Sequence, residues 1–226
     1  MKIDTTSWTQ NLSSPGRPDE HETKQLLDRI GIAVPEGVRL TPGSEVETPP
    51  FQGPYALKVC SPEVLHKTER GGVRLGIDLE DLPAAVAAMR GELGDLPLLV
   101  ERMIDFEGAE LIVGGLVDET LGTAVMVGAG GILTELYRDV AFRLAPCPPD
   151  EARRMIEELR ISPLFHGFRG LELDPDGLAE TIGAVAELAA GFGARFDQLD
   201  INPLVYSEGR WTALDAGLVL EEETED

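Results

Sequence analysis

Lysine is scarce in this chain: Lys2, Lys24, Lys58 and Lys67 are the whole complement. Lys and Arg together number 19 against 41 Asp and Glu, giving a formal net charge of −22. Phosphate backbones are gripped by cationic side chains, so this deficit excludes general nucleic-acid binding. The excess acid fits a soluble, self-repelling surface. Cysteine is rarer still. Cys60 and Cys147 are too few and too far apart for a disulfide framework or a thiolate metal centre. No apolar run reaches the ~18–20 residues that span a bilayer. The opening MKIDTTSWTQNLSSPGRPDE also lacks the apolar stretch of a secretory signal. The expected setting is the cytoplasm, with no membrane partner. What remains, 226 residues at 42% hydrophobic content, is enough for a substantial core.

Residues 1–19 are polar and aperiodic and read as a flexible tail. From Glu20, the residues Leu26, Leu27 and Ile30 predict a short amphipathic helix stopped by Gly31. AVPEGVRL reads as a short strand. The proline-rich TPGSEVETPPFQGP (41–54) reads as a connection. Leu82, Val86, Met89 and Leu93 predict a helix. PLLVERM, AELIVGGLV and GTAVMVGAGG are three neighbouring β runs, expected to pair antiparallel. ILTELYRDVAFRLAP fits helix or strand equally. Asp150 is placed to N-cap a helix reaching Leu159, and SPLFHGFRGLE is a glycine-punctuated loop. A longer helix runs from Pro175 to Phe192, and the strands FDQLDINPLVY and WTALDAGLVL follow. Residues 221–226 form an acidic tail. The fold class is α+β, with largely antiparallel sheet.

The stretch from Tyr55 to Ile77, YALKVCSPEVLHKTERGGVRLGI, holds two of the four lysines and one of the three histidines. A lysine in an apolar strand either snorkels or projects into a site, and Lys58 admits both readings. The Gly71-Gly72 pair lets backbone N–H groups approach an anion closely. No Walker loop occurs. Gly128-Ala129-Gly130-Gly131 fails the dinucleotide pattern, because Leu133 stands where the last glycine belongs. Asp200, Asn202 and Asp215 are polar residues in apolar β surroundings, LDINPL and ALDAGL. Their oxygens suit Mg²⁺, which takes few protein ligands beside water and phosphate; each taken alone also fits turn chemistry.

These segments together resemble the ATP-grasp β subunit of ADP-forming (NDP-forming) acyl-CoA synthetases of the acetate–CoA ligase type, relatives of succinyl-CoA synthetase. The resemblance rests on LKVCSPEVLHKTERGGVRLGI, LVERMIDFEGAELIVGGLVD, VMVGAGGILTELYRDVAFRLAP, GFRG and LDINPLVY followed by ALDAGLVL, in family order. It implies an ATP-grasp fold over residues 20–220, with a first lobe of about 20–97 and a second of about 98–220 clamping a nucleotide. It further implies that Lys58, with Lys67 beside it, contacts nucleotide phosphates covered by Gly71 and Gly72. Glu101 and the backbone of Met103 fall at the adenine hinge, and Glu110 at the ribose. Asn202 and Asp215, with Asp200 as a helper, fall to Mg²⁺. His66, in the motif Leu65-His66-Lys67-Thr68, becomes the catalytic carrier of phosphate between a partner's phosphohistidine and ADP. The cofactors implied are ATP/ADP and Mg²⁺, and the partner is a CoA-binding α-type subunit, since no CoA domain is present. The shortened segment 41–54 departs from the family. Two alternatives stay open: a stand-alone ATP-grasp carboxylate ligase acting through an acyl phosphate, and a non-catalytic ATP-grasp module. The resemblance gives no role to Glu135, Asp139, Arg143 or Arg169.

Overall fold

The computed structural model describes residues 5–10, 12, 16–62, 67, 70–106, 108–131 and 138–221. They form two compact units, one of Asp19–His21 and Pro35–Ile104, the other of Met1–Pro18, Glu22–Val34 and Asp105–Asp226.

The smaller unit is a four-stranded sheet in the order β1-β4-β2-β3, from β1 (Gly37–Leu40), β2 (Tyr55–Val59), β3 (Val73–Ile77) and β4 (Leu98–Arg102). All its pairings are antiparallel. A helix, Leu82–Leu93, buries Leu82, Val86 and Met89 against Leu57, Val59 and Val100. Its i, i+4, i+7 spacing puts these three on one face. Strand β4 belongs here, beyond the division at residue 97 read from the sequence. Both of its partners, β1 and β2, precede it in the chain, so the three consecutive β runs do not form one sheet.

The larger unit is built on six strands in the order β10-β8-β5-β6-β7, with β9 also paired to β8. These are β5 (Leu111–Asp118), β6 (Gly122–Ala129), β7 (Val140–Leu144), β8 (Phe196–Ser207), β9 (Arg210–Ala213) and β10 (Ala216–Leu220). All are antiparallel. Strand β7 resolves the segment that fitted helix or strand, for residues 140–144.

Taking the helices in chain order, α1 is Thr5–Thr9, α2 Glu20–Arg29, α3 the Leu82–Leu93 helix, α4 Pro149–Glu158 and α5 Pro175–Phe192. In α5, Pro175 occupies the first turn, and Asp174 Oδ1 accepts from the N–H groups of Asp176 and Gly177, both at 3.0 Å. Leu178, Ile182, Val185, Leu188 and Phe192 of α5 are buried in the same cluster as Val113, Val125, Leu199 and Ile201 of the sheet.

Two expectations are corrected. Asp150 does not N-cap α4: Pro148 holds that position, and Asp150 lies in the first turn, ion-paired to Arg153. Nor are the described residues of 1–19 a loose tail. Trp8 of α1 is buried edge-to-face on Phe192, and the Leu220 N–H donates to the Gly16 carbonyl at 2.7 Å. Isolated contacts of this kind leave no periodic trace in the sequence. Among the described residues, no helix is long and apolar enough to cross a membrane.

Candidate functional site

In the smaller unit, β2 carries Lys58 between β3 and β4, opposite Val73 on one side and Leu99 on the other. The residue is 7% exposed, and its ammonium does not snorkel outward. Nζ lies 2.9 Å from Glu20 Oε1 and 2.8 Å from Glu101 Oε2. Lys67 Nζ reaches the other oxygen of Glu20, Oε2, at 2.6 Å. Two lysines and two glutamates thus meet in one largely buried cluster. A buried charge requires such pairing, because removal from water costs several kcal/mol per ion. The Glu101 side chain, expected at the adenine hinge, is turned to Lys58. The Met103 N–H donates to the Pro54 carbonyl at 2.9 Å.

The glycine pair forms the turn into β3. Gly71 has φ +70, a left-handed conformation that a side chain would strain, and the Gly72 N–H donates to the Lys67 carbonyl at 2.7 Å. The Gly72 carbonyl in turn accepts from Val59 at 2.8 Å, which ties the turn to the lysine strand. His66 lies outside the described residues, as does Glu135. Cys60, next to β2, is buried, and its thiol is pushed up to about 12, first by burial and then by the charge of Asp19. It is a packing residue rather than a nucleophile.

In the larger unit, β8 bulges at Asn202-Pro203. Leu111 pairs with Leu204 and Val113 with Ile201, so two residues of β8 stand opposite one of β5. This bulge explains a proline inside a strand, and bulges re-aim side chains. Opposite it, β9 ends at Ala213 and β10 begins at Ala216. The Asn202 N–H donates to the Asp215 carbonyl at 3.2 Å, and the Leu214 N–H to the Pro203 carbonyl at 2.9 Å. Bulge and break together gather Asp200, Asn202 and Asp215. The Asp200 carboxyl is pushed up to about 6, first by burial and then by the charge of Asp215.

Glu110 joins the same region through the Gly130-Gly131 turn. The Gly130 N–H donates to the Glu110 carbonyl at 2.7 Å, and the Gly131 N–H to Asn202 Oδ1 at 3.4 Å. A side chain on Gly131 would overlap Glu110 Oε2. Glu110 and Asn202, far apart in sequence, are therefore separated by one glycine.

All the donors gathered here are oxygens, and the Asp200 carboxyl, whose charge is disfavoured by burial and by Asp215 beside it, suits a cation close by. Among the described residues, no group of three His, Cys, Asp or Glu can hold a metal. Mg²⁺ takes one or two carboxylates and completes its shell with water and phosphate.

Two residues here were not singled out from sequence. Glu20 grips both lysines. Lys24, 3% exposed, donates to the Leu214 carbonyl at 2.6 Å, next to Asp215. The signal was present: Glu20, Thr23, Lys24 and Leu27 fall at i, i+3, i+4 and i+7, and all four are buried. Asp139, Arg143 and Arg169 stand apart. Asp139 accepts from the N–H groups of Arg160 and Ile161 at 2.8 and 3.0 Å. Arg143 is ion-paired to Glu151 and Glu158. Arg169 is exposed over the Phe168 ring.

Comparison with known proteins places the chain among recognisable relatives. The family model described as an ATP-grasp domain matches residues 14–220. The chain is 35% identical over 214 residues to the β subunit of ADP-forming acetate–CoA ligase I from Pyrococcus furiosus, covering 89% of this chain and 90% of that subunit. It is 33% identical to ADP-forming acetate–CoA ligase I from Archaeoglobus fulgidus, covering 94% of this chain but 32% of that longer protein. Among solved structures it is similar to the dinucleotide-forming acetyl-coenzyme A synthetase 1 of Ca. Korarchaeum cryptofilum, bound to coenzyme A and Ca-AMPCP. That match has a TM-score of 0.83 at 29% identity over 92% of this chain and 95% of that one. A second structure of that enzyme holds Mg-AMPPCP, with a phosphohistidine segment pointing towards the nucleotide site (TM-score 0.77, 29% identity, 91% and 93% covered).

Proposed function

Because the chain belongs to the ATP-grasp family, among the β subunits of ADP-forming acetate–CoA ligases, we propose that it is the nucleotide-binding subunit of an ADP-forming acyl-CoA synthetase. The net reaction is acyl-CoA + ADP + phosphate ⇌ acid + CoA + ATP. This chain would carry the phosphoryl end of it, and a separate CoA-binding α-type subunit the acyl chemistry. The longer Archaeoglobus protein, about two thirds of which lies outside the matched part, supports that division of labour.

The observation that carries the reading is the convergence of Glu110, Asp200, Asn202 and Asp215 through the β8 bulge and the β9–β10 break. Four oxygen-bearing residues from three segments meet there. In this reading Asp200, Asn202 and Asp215 hold Mg²⁺, which when bound neutralises phosphate charge. Glu110 accepts from the ribose hydroxyls. The backbone at the end of β4, with Glu101 and Met103, marks the adenine edge. Lys58 and Lys67 meet the phosphates, and the Gly71-Gly72 turn covers them.

His66 is the proposed carrier. Its imidazole takes the phosphoryl group from a phosphohistidine of the partner; the partner's N–P bond breaks as the His66 N–P bond forms. A terminal oxygen of ADP then attacks phosphorus, a P–O bond forms, and imidazole departs with the N–P electron pair. Imidazole suits both halves, being a nucleophile near neutral pH and a good leaving group once protonated.

The test is phosphate relay in the reconstituted complex, followed from γ-labelled ATP to the partner. His66→Ala should abolish relay while leaving Mg-ATP binding intact. Relay at the normal rate in His66→Ala would contradict the assignment.

A further inference from the structure

Glu20 opens α2, 38 residues before Lys58, and its side chain is 1% exposed. Its two oxygens serve two different lysines: Oε1 holds Lys58 at 2.9 Å and Oε2 holds Lys67 at 2.6 Å. The Lys67 carbonyl accepts from Gly72, and the Gly72 carbonyl from Val59, which adjoins Lys58. A closed ring results: Glu20, Lys67, Gly72, Val59, Lys58 and back to Glu20. Each link is a hydrogen bond, an ion pair or a peptide bond.

A lysine ammonium sits on a flexible four-carbon stem rich in rotamer entropy. Two such stems converging on one phosphate group would lose that freedom on binding unless it were removed beforehand. A carboxylate bridging both ammonium groups removes it in the folded protein and fixes the distance between them. Protein kinases use a comparable device, a helix Glu paired to the strand Lys that meets the nucleotide.

We propose that Glu20 is a positioning residue for nucleotide phosphates, holding the Lys58 and Lys67 ammonium groups and the Gly71-Gly72 turn as one preformed cradle. The proposal rests on the reading of Lys58 as a phosphate contact. Glu101 shares the neutralisation of Lys58 from the β4 side.

The test titrates the full chain with Mg-AMPPNP by calorimetry, using Glu20→Gln, Lys67→Met, the double variant and Lys58→Met, each with its unfolding transition recorded. Glu20→Gln should lose about tenfold or more in affinity, the scale of one charge-assisted contact. The double variant should bind only as weakly as the poorer single one, because both changes open the same ring. A purely structural Glu20 would lower the unfolding midpoint and leave affinity unchanged, or additive with Lys67→Met; either overturns the proposal. If Glu20→Gln fails to fold, Glu20→Asp keeps the charge and withdraws it by one methylene. Weakened binding in folded Glu20→Asp supports the bridge, and unaltered binding overturns it. Loss of binding in Lys58→Met with normal binding in Glu20→Gln sinks the role of Glu20 alone. Normal binding in Lys58→Met sinks the phosphate reading and the bridge with it.

Discussion

Replacing Asp200 by asparagine should make the metal-free protein more stable and the metal-bound protein less so. The Asp200 carboxyl is raised from an ordinary 3.8 to about 6 by burial and by Asp215. The difference, 6 − 3.8, is about 2.2, and at 1.36 kcal/mol per unit it corresponds to about 3 kcal/mol. The sign follows from proton uptake. Between pH 3.8 and 6 the folded state binds the proton more tightly than the unfolded state, so stability falls as pH rises through that window. Below it both states are protonated and the cost is absent; above it the cost is complete. The uncharged amide of the variant escapes it. In chelator-containing buffer at about pH 7, Asp200→Asn should therefore exceed the parent by about 3 kcal/mol. That is roughly 6–12 °C in melting temperature for a chain of this length. The gap should close by about pH 4. With Mg²⁺ and nucleotide added the order should invert, because the parent gains binding energy that the variant forgoes. Thermal unfolding from about pH 4 to 8, with and without Mg-ADP, measures all of this. A variant no more stable than the parent near neutral pH, or a gap that does not change with pH, refutes the reasoning.

Other consequences are independent of the metal. Trp8→Ala should destabilise the larger unit by about 3 kcal/mol, as for a buried aromatic; a change under about 0.5 kcal/mol in urea unfolding would mean that the start of the chain is undocked after all. Gly130→Ala would place Cβ 2.6 Å from the Leu111 carbonyl carbon, against backbone that cannot turn aside, and should destabilise by about 1–3 kcal/mol. Gly91→Ala, with nothing within 4 Å in α3, should instead stabilise by about 0.5–1 kcal/mol. Iodoacetamide at about pH 8 should leave Cys60 unmodified until denaturant is added, since its thiol titrates only near 12; labelling of the folded chain would contradict its burial.

The elements were legible where periodicity is strong. α3 and α5 fall on the residues that their apolar spacing indicated, because each packs one face and begins at a proline-bearing turn. Pairing was harder. β4 and β5 are consecutive in sequence yet lie in different sheets, a matter of long-range register that no local pattern records. Lys58, Asn202 and Asp215 stood out as polar residues among apolar ones. Glu20 and Lys24 did not, because a charged residue near a helix start normally faces solvent; only their i, i+3, i+4, i+7 alignment with Leu27 marks the buried face. Glu110 was named from family likeness, whereas its link to Asn202 depends on the Gly130-Gly131 turn and could be found only in three dimensions.

Isothermal titration of the full chain with Mg-ATP tests the central claim most directly. The account expects one nucleotide per chain, binding that disappears when EDTA removes the metal, and severe weakening in Lys58→Met. Absence of any binding heat from folded protein at millimolar Mg-ATP, or equal affinity with and without metal, would contradict it.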